Sequence, residues 1–178
     1  SRRYVYRPPM SPIPGQATAS AGGRSFDLTA RVTRRQGDEG VIWATGTENS
    51  GIAVFVQGDR LVLDYNAFDD HTVLESDRPV PTGDAVLHVH LERDSRTTGW
   101  CELSIDGEPA GRASIPFYMR MVSSVGASVG YDHGSAVSTR YTAPFAFSGV
   151  LHDVVIQLPV KPGAADTEAT ARSEMSRQ

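Results

Sequence analysis

The hydrophobic pattern of this chain has period two along most of its length, which excludes most architectures. In residues 26–32, Phe26, Leu28, Ala30 and Val32 alternate with polar partners, as a strand with one buried face requires. The run 40–46, GVIWATG, is short, apolar and bounded by glycine. Residues 51–68 hold two β-rich runs around Gln57, Gly58 and Asp59, a hairpin signal with a glycine available for positive φ. Further runs follow at 70–76, 85–93, 99–106, 110–115, 122–131 and 147–158, each bounded by turn residues such as Arg78-Pro79 or Asp106-Gly107. About ten short strands with no helical period predict an all-β sandwich.

The ends lack that pattern. Residues 1–24 carry Arg2, Arg3, Arg7 and Arg24 with no acid, and four prolines, Pro8, Pro9, Pro12 and Pro14, which remove backbone donors and favour extended backbone. They read as a basic, extended arm leading into a β-sandwich at 25–159. Residues 160–178, with bases and acids in balance, read as a flexible tail. At 178 residues the chain suits one domain, large enough to bury about two thirds of its unfolded surface. The single Cys101 can form neither an internal bridge nor a cysteine metal site, and reads as a small core residue. A net charge of −4 argues against a nucleic-acid partner. No apolar run is long enough to span a membrane, and the first residues lack the hydrophobic centre of a signal peptide. The expectation is a soluble module whose compartment is unspecified.

Several ordered signatures carry a family resemblance. FVQGDRLVLDYN, AVLHVHLERD and CELSIDGEPAG resemble the strand pair, long strand and hairpin of laminin-G and concanavalin A-like jelly rolls. RRYVYRPPMSPIP, GRSFDLTARV, DRLVLDYNAF, GYDHGSAVS and YTAPFAFSGVLHDV together resemble the C-terminal domain of bacterial arylsulfatases of the formylglycine type. The resemblance implies a jelly-roll β-sandwich of two antiparallel sheets. It also implies a sulfatase catalytic domain as partner, with the arm as the linker to it.

The reactive centre of such a hydrolase is missing from this chain. Formylglycine formation needs a cysteine or serine with proline or alanine two positions on and arginine four positions on. Cys101 is followed by Glu102, Leu103, Ser104 and Ile105, and Ser114 has Pro116 but then Tyr118. The chain alone is therefore expected to be non-catalytic and to require no cofactor. A separate enzymatic reading would pair carboxylates such as Asp64 and Glu92.

Non-catalytic sites remain. Asp132, on the bending segment Tyr131-Asp132-His133-Gly134, is a candidate calcium ligand of the kind laminin-G-like domains hold at a sheet rim, or a carboxylate that caps its own turn. Asp69-Asp70 reads as a solvated acidic pair in a hairpin loop. His88 and His90, two apart in a strand, project from one face with Leu87, Val89 and Leu91 on the other, and line a polar outer face. Tyr131, His133, Tyr141, Phe145, Trp43 and Trp100 are candidates for ligand or interdomain contact. Two functions follow. One is an accessory module supporting a sulfatase catalytic domain; the alternative is a lectin-like carbohydrate-binding module, with or without calcium, which an exposed Trp43 or Trp100 on a concave face would favour.

Overall fold

A computed structural model of the chain describes residues 2–8, 23–120 and 126–159. Eleven strands are found there: β1 (Arg2–Tyr6), β2 (Phe26–Arg34), β3 (Gly40–Gly46), β4 (Gly51–Gln57), β5 (Arg60–Ala67), β6 (Asp70–Glu75), β7 (Gly83–Arg93), β8 (Gly99–Ile105), β9 (Glu108–Ile115), β10 (Ala127–Val129) and β11 (Val150–Leu158). They form a six-stranded sheet ordered β1-β11-β2-β7-β8-β9 and a five-stranded sheet ordered β10-β3-β4-β5-β6. All ladders between these strands are antiparallel, and no helix occurs among the described residues. The chain is an all-β jelly-roll sandwich.

The alternation read from the sequence selects the faces. Phe26, Leu28, Ala30 and Val32 of β2, Ala85, Leu87, Val89 and Leu91 of β7, and Cys101, Leu103 and Ile105 of β8 point inward. They meet Ile52, Val54 and Val56 of β4 and Leu61, Leu63 and Tyr65 of β5. Cys101 is buried in this core, and burial pushes its thiol up to about 11, so it is a packing residue. Arg34, at the end of β2, ties the two sheets together. Its side chain is fully buried, donates to the Asp38 and Val80 carbonyls, and pairs with Asp59 in the β4–β5 turn. Every donor of a buried guanidinium that finds an acceptor lowers the cost of burying the charge.

The first five described residues, read from the sequence as part of an arm, form β1 at the edge of the six-stranded sheet and pair with β11. Tyr6 reaches the core and stacks on Tyr4. Of the run 122–131, the described part contributes only the short β10; residues 9–22 and the tail 160–178 lie outside the described residues.

Three two-residue hairpins have both loop residues at positive φ, the type I′ geometry that matches strand twist. Gly58-Asp59 joins β4 to β5 and Asp106-Gly107 joins β8 to β9, both with residues that tolerate that backbone. Phe68-Asp69 joins β5 to β6, and there Phe68 sits at φ 52° with its side chain 67% exposed, touching Phe117 at a ring separation of 6.3 Å. A bulky residue in the left-handed region costs on the order of 1–3 kcal/mol, and this exposed ring recovers little by burial. Phe68→Asn is expected to raise unfolding stability by about 1 kcal/mol, seen as a higher urea midpoint at unchanged slope. A lower midpoint would show that the Phe68–Phe117 contact outweighs the backbone strain.

Candidate functional site

A sandwich offers two outer faces, and this chain treats them differently. The outer face of the five-stranded sheet carries Val41, Ala44, Ala53, Phe55 and Val62, a second apolar cluster covered by Val137, Tyr141 and Phe145 from the loop between β10 and β11. Tyr141 and Phe145 stack on each other at 5.1 Å, and each meets the Phe55 ring edge-on. The returning chain is bonded along β3, with Val41 N–H donating to the Phe145 carbonyl and Ser148 N–H to that of Glu39. Gly40 permits the crossing. A Cβ there would lie 2.4 Å from the Ala146 carbonyl oxygen, and the residue sits at φ 130°.

Asp132 belongs to this cover. Its Oδ2 accepts from the Val137 N–H at 3.0 Å and from the Tyr141 hydroxyl at 2.5 Å. Burial raises its pKa against the lowering effect of those bonds. Among the described residues no group of three or more His, Cys, Asp or Glu is arranged to hold a metal ion. Both donors reach the same oxygen, so the carboxylate caps its own loop, the second of the two roles the sequence allows it. His133 donates its backbone N–H to Ser128 Oγ, and the Tyr131 carbonyl accepts from the same hydroxyl, so both lie in the turn that launches the loop. Beneath the loop, His71 Nδ1 lies 2.7 Å from the fully buried Asp64. Asp69, the first of the acidic pair, is a loop residue with its side chain 86% exposed.

Trp43 is not on any outer face. It is fully buried against Phe26, because β3 bulges between Val41 and Trp43 and turns the indole inward. The pairing of Asp64 with Glu92 also fails: Asp64 faces outward from the five-stranded sheet, beside Val62 and under the loop, whereas Glu92 faces outward from the other sheet. The whole sandwich separates them.

The outer face of the six-stranded sheet is open among the described residues and is lined by polar side chains. The register places Arg3, Gln157, Asp27, His90, Glu102 and Arg112 in one row across all six strands. His88 Nε2 and His90 Nδ1 lie 2.7 and 2.9 Å from the same oxygen of Asp27, and His90 Nε2 lies 3.0 Å from Glu92. Burial pushes the Asp27 carboxyl up, but the hydrogen bonds from His88 and His90 outweigh it and hold the group below the usual carboxylate range. With a carboxylate at each ring nitrogen, His90 donates to both only when doubly protonated. Trp100 is half-buried, 5.1 Å from the His90 ring, and the Arg112 guanidinium lies 3.8 Å from the centre of its indole. Among the described residues Arg112 makes no ion pair and no hydrogen bond, so its donors face solvent. The arrangement offers acceptors, donors, an aromatic surface and, among the described residues, two cations outside any ion pair, Arg3 at one end of the row and Arg112 at the other, on a single face.

No family model matches the sequence, and no curated protein matches it. Solved structures match the fold. The CBM40 of Ruminococcus gnavus IT-sialidase, bound to alpha2,3 sialyllactose, aligns over 85% of this chain and 84% of its own, with a TM-score of 0.58 and 9% identity. The NanB sialidase of Streptococcus pneumoniae aligns over 92% of this chain, with a TM-score of 0.60 and 8% identity. Domains LG4-5 of the mouse laminin alpha1 chain align over 88%, with a TM-score of 0.52 and 11% identity. The chain spans 27% of the sialidase and 38% of the laminin structure. These likenesses establish the concanavalin/laminin-G-like sandwich and lend no support to a sulfatase relationship.

The buried Asp132 sets a pH dependence. A carboxyl whose pKa is raised by folding holds its proton more tightly in the folded chain, so stability falls as pH rises from the unfolded value through the folded one and stays lower above it. Asp132→Asn keeps an acceptor for Val137 and Tyr141 without the charge. The variant is expected to gain on the wild type as pH rises from 3 to 7 in urea denaturation. A difference that stays flat with pH would exclude this account.

Proposed function

We propose that this chain is a carbohydrate-binding module and that its binding surface is the open outer face of the six-stranded sheet. The observation that carries the reading is the Trp100–Arg112 pair beside the Asp27–His88–His90 cluster. Sugars combine apolar C–H faces with hydroxyls that both donate and accept, and are suited by an aromatic surface flanked by fixed carboxylates and imidazoles. The cluster is held before a ligand arrives, because Asp27 anchors both rings, and pre-organisation lowers the ordering cost of binding. The neighbouring folds include a module bound to sialyllactose, which supports the same class of ligand. The uncommitted Arg112 favours an acidic sugar, since a planar guanidinium can grip a carboxylate through two donors at once.

The accessory reading, a module packed on a sulfatase catalytic domain, draws less support. Tyr141 and Phe145, its natural interdomain contacts, are spent on the chain's own five-stranded sheet.

Intrinsic fluorescence gives a direct test, because Trp43 is fully buried and Trp100 lies on the proposed surface. Titration with alpha2,3-sialyllactose is expected to change the emission saturably, while lactose binds more weakly. Loss of a charge-assisted hydrogen-bonded contact costs about 1.5–3 kcal/mol, so Arg112→Ala should weaken binding roughly ten- to a hundredfold. Trp100→Ala, followed by calorimetry, should weaken it as well. Affinity unchanged in both variants, or no binding of either sugar, would sink the proposal.

A further inference from the structure

The same face continues past His88 into a groove of about 450 Å³ at the β11–β2–β7 end, lined by Arg31, Asp84, Val86, Asp106 and His152. That volume lies within the range of small-molecule sites. We infer that this groove is a second sugar subsite, taking a neutral unit of a glycan whose acidic unit is held at Trp100 and Arg112. The inference rests on the carbohydrate reading above and adds the length and polarity of the ligand.

Register makes the two places one surface. Arg31 pairs with Val86 and Thr33 with Asp84, on the same side of β2 and β7 as the Asp27–His90 and Thr29–His88 pairs. Val86 is four residues along β7 from His90, and Arg112 lies two strands across from it. At about 3.4 Å per residue and about 4.8 Å per strand, the groove begins roughly 16 Å from Arg112. A single sugar cannot touch both.

The groove is built from fixed groups. Thr33 Oγ1 lies 2.6 Å from an Asp84 oxygen and 2.7 Å from His152 Nε2, so one hydroxyl locks an acid from β7 and an imidazole from β11. The second Asp84 oxygen and His152 Nδ1 remain to meet sugar hydroxyls. Val86, 40% exposed and two residues along β7 from Asp84, provides an apolar floor beside them. Charge sets the preference for a neutral unit. Arg31 is gripped by Asp153, whose carboxyl it holds below the usual carboxylate range, so the groove's cation is already matched. Asp84 and Asp106 then leave the groove acidic, and it repels a carboxylate or sulfate that Arg112 would welcome.

Calorimetry on the full chain with free sialic acid, alpha2,3-sialyllactose and a sialylated pentasaccharide tests this. Affinity should rise about tenfold as neutral units extend from the acidic one. In Asp84→Ala and His152→Ala that gain should disappear while affinity for free sialic acid stays at the wild-type value, and Arg112→Ala should weaken all three ligands alike. Urea denaturation confirms that each variant is folded, and Val86→Asp, which replaces the apolar contact with a charge without touching the Thr33 bridge, provides an independent route to the same loss. Equal wild-type affinity for free sialic acid and the pentasaccharide, or a length gain that survives the groove variants, overturns the second subsite alone. Absence of binding by any of the three to the wild type overturns the carbohydrate reading and the subsite with it.

Discussion

The hydrogen bond from the Tyr141 hydroxyl to Asp132 decides which side of this sandwich is available. It fixes the ring that, with Phe145, covers Phe55 on the outer face of the five-stranded sheet. An outward phenylalanine, two alanines and two valines would otherwise form an exposed apolar patch. The cover is not free of cost: burial raises the carboxyl's pKa, and burial together with the bond to Asp132 pushes the Tyr141 hydroxyl far upward as well. Aromatic burial and the bonds along β3 offset that penalty. With this face closed by the chain itself, the six-stranded sheet is the one that, among the described residues, presents an open surface.

That surface depends on strand register. Because side chains alternate, a slip of one residue between β2 and β7 would send Asp27 into the core and Leu28 to solvent. The inward alternation of Phe26, Leu28, Ala30 and Val32 against Leu91, Val89, Leu87 and Ala85 forbids it. The apolar core therefore sets the spacing of the polar row above it, and the Asp27–histidine geometry is a by-product of burial on the other side. Rigid strands hold such a constellation more closely than loops do.

Much of this was legible in the sequence, and the failures have physical causes. The strands and the Gly58 and Asp106-Gly107 turns follow from alternation and from residues suited to positive φ. The outward placement of His88 and His90 follows from their apolar neighbours, as does that of Trp100 between Gly99 and Cys101. Trp43 could not be placed, because the run 40–46 is buried throughout and a bulge reverses the direction the count would give. Asp27 gave no signal as the partner of the histidines; its role arises across strands 61 and 63 residues apart in sequence. Thr33 and His152 were equally silent, since nothing local marks a threonine that will bridge two strands. The aromatic clamp was visible as a constellation, but whether it met a partner domain or its own sheet depended on where the loop folded back.

The chain carries carboxylate–imidazole pairs on both outer faces, and their surroundings give them different work. Asp64 and His71 lie 2.7 Å apart with Asp64 fully buried; among the described residues the second Asp64 oxygen has no hydrogen-bond partner, and His71 Nε2 faces Asp69 at 3.5 Å without a hydrogen bond. A pair shut away in that manner cannot exchange its partners for a ligand. Asp27, His88 and His90 keep a quarter to two fifths of their side-chain surface exposed, with solvent on one side and the core-anchored strands on the other. Water screens the charges there, so the cluster contributes little stability, yet each member can trade a hydrated bond for a bond to a hydroxyl. The same chemical pair is locked in place where the loop covers it and stays solvent-accessible where, among the described residues, no loop crosses the sheet.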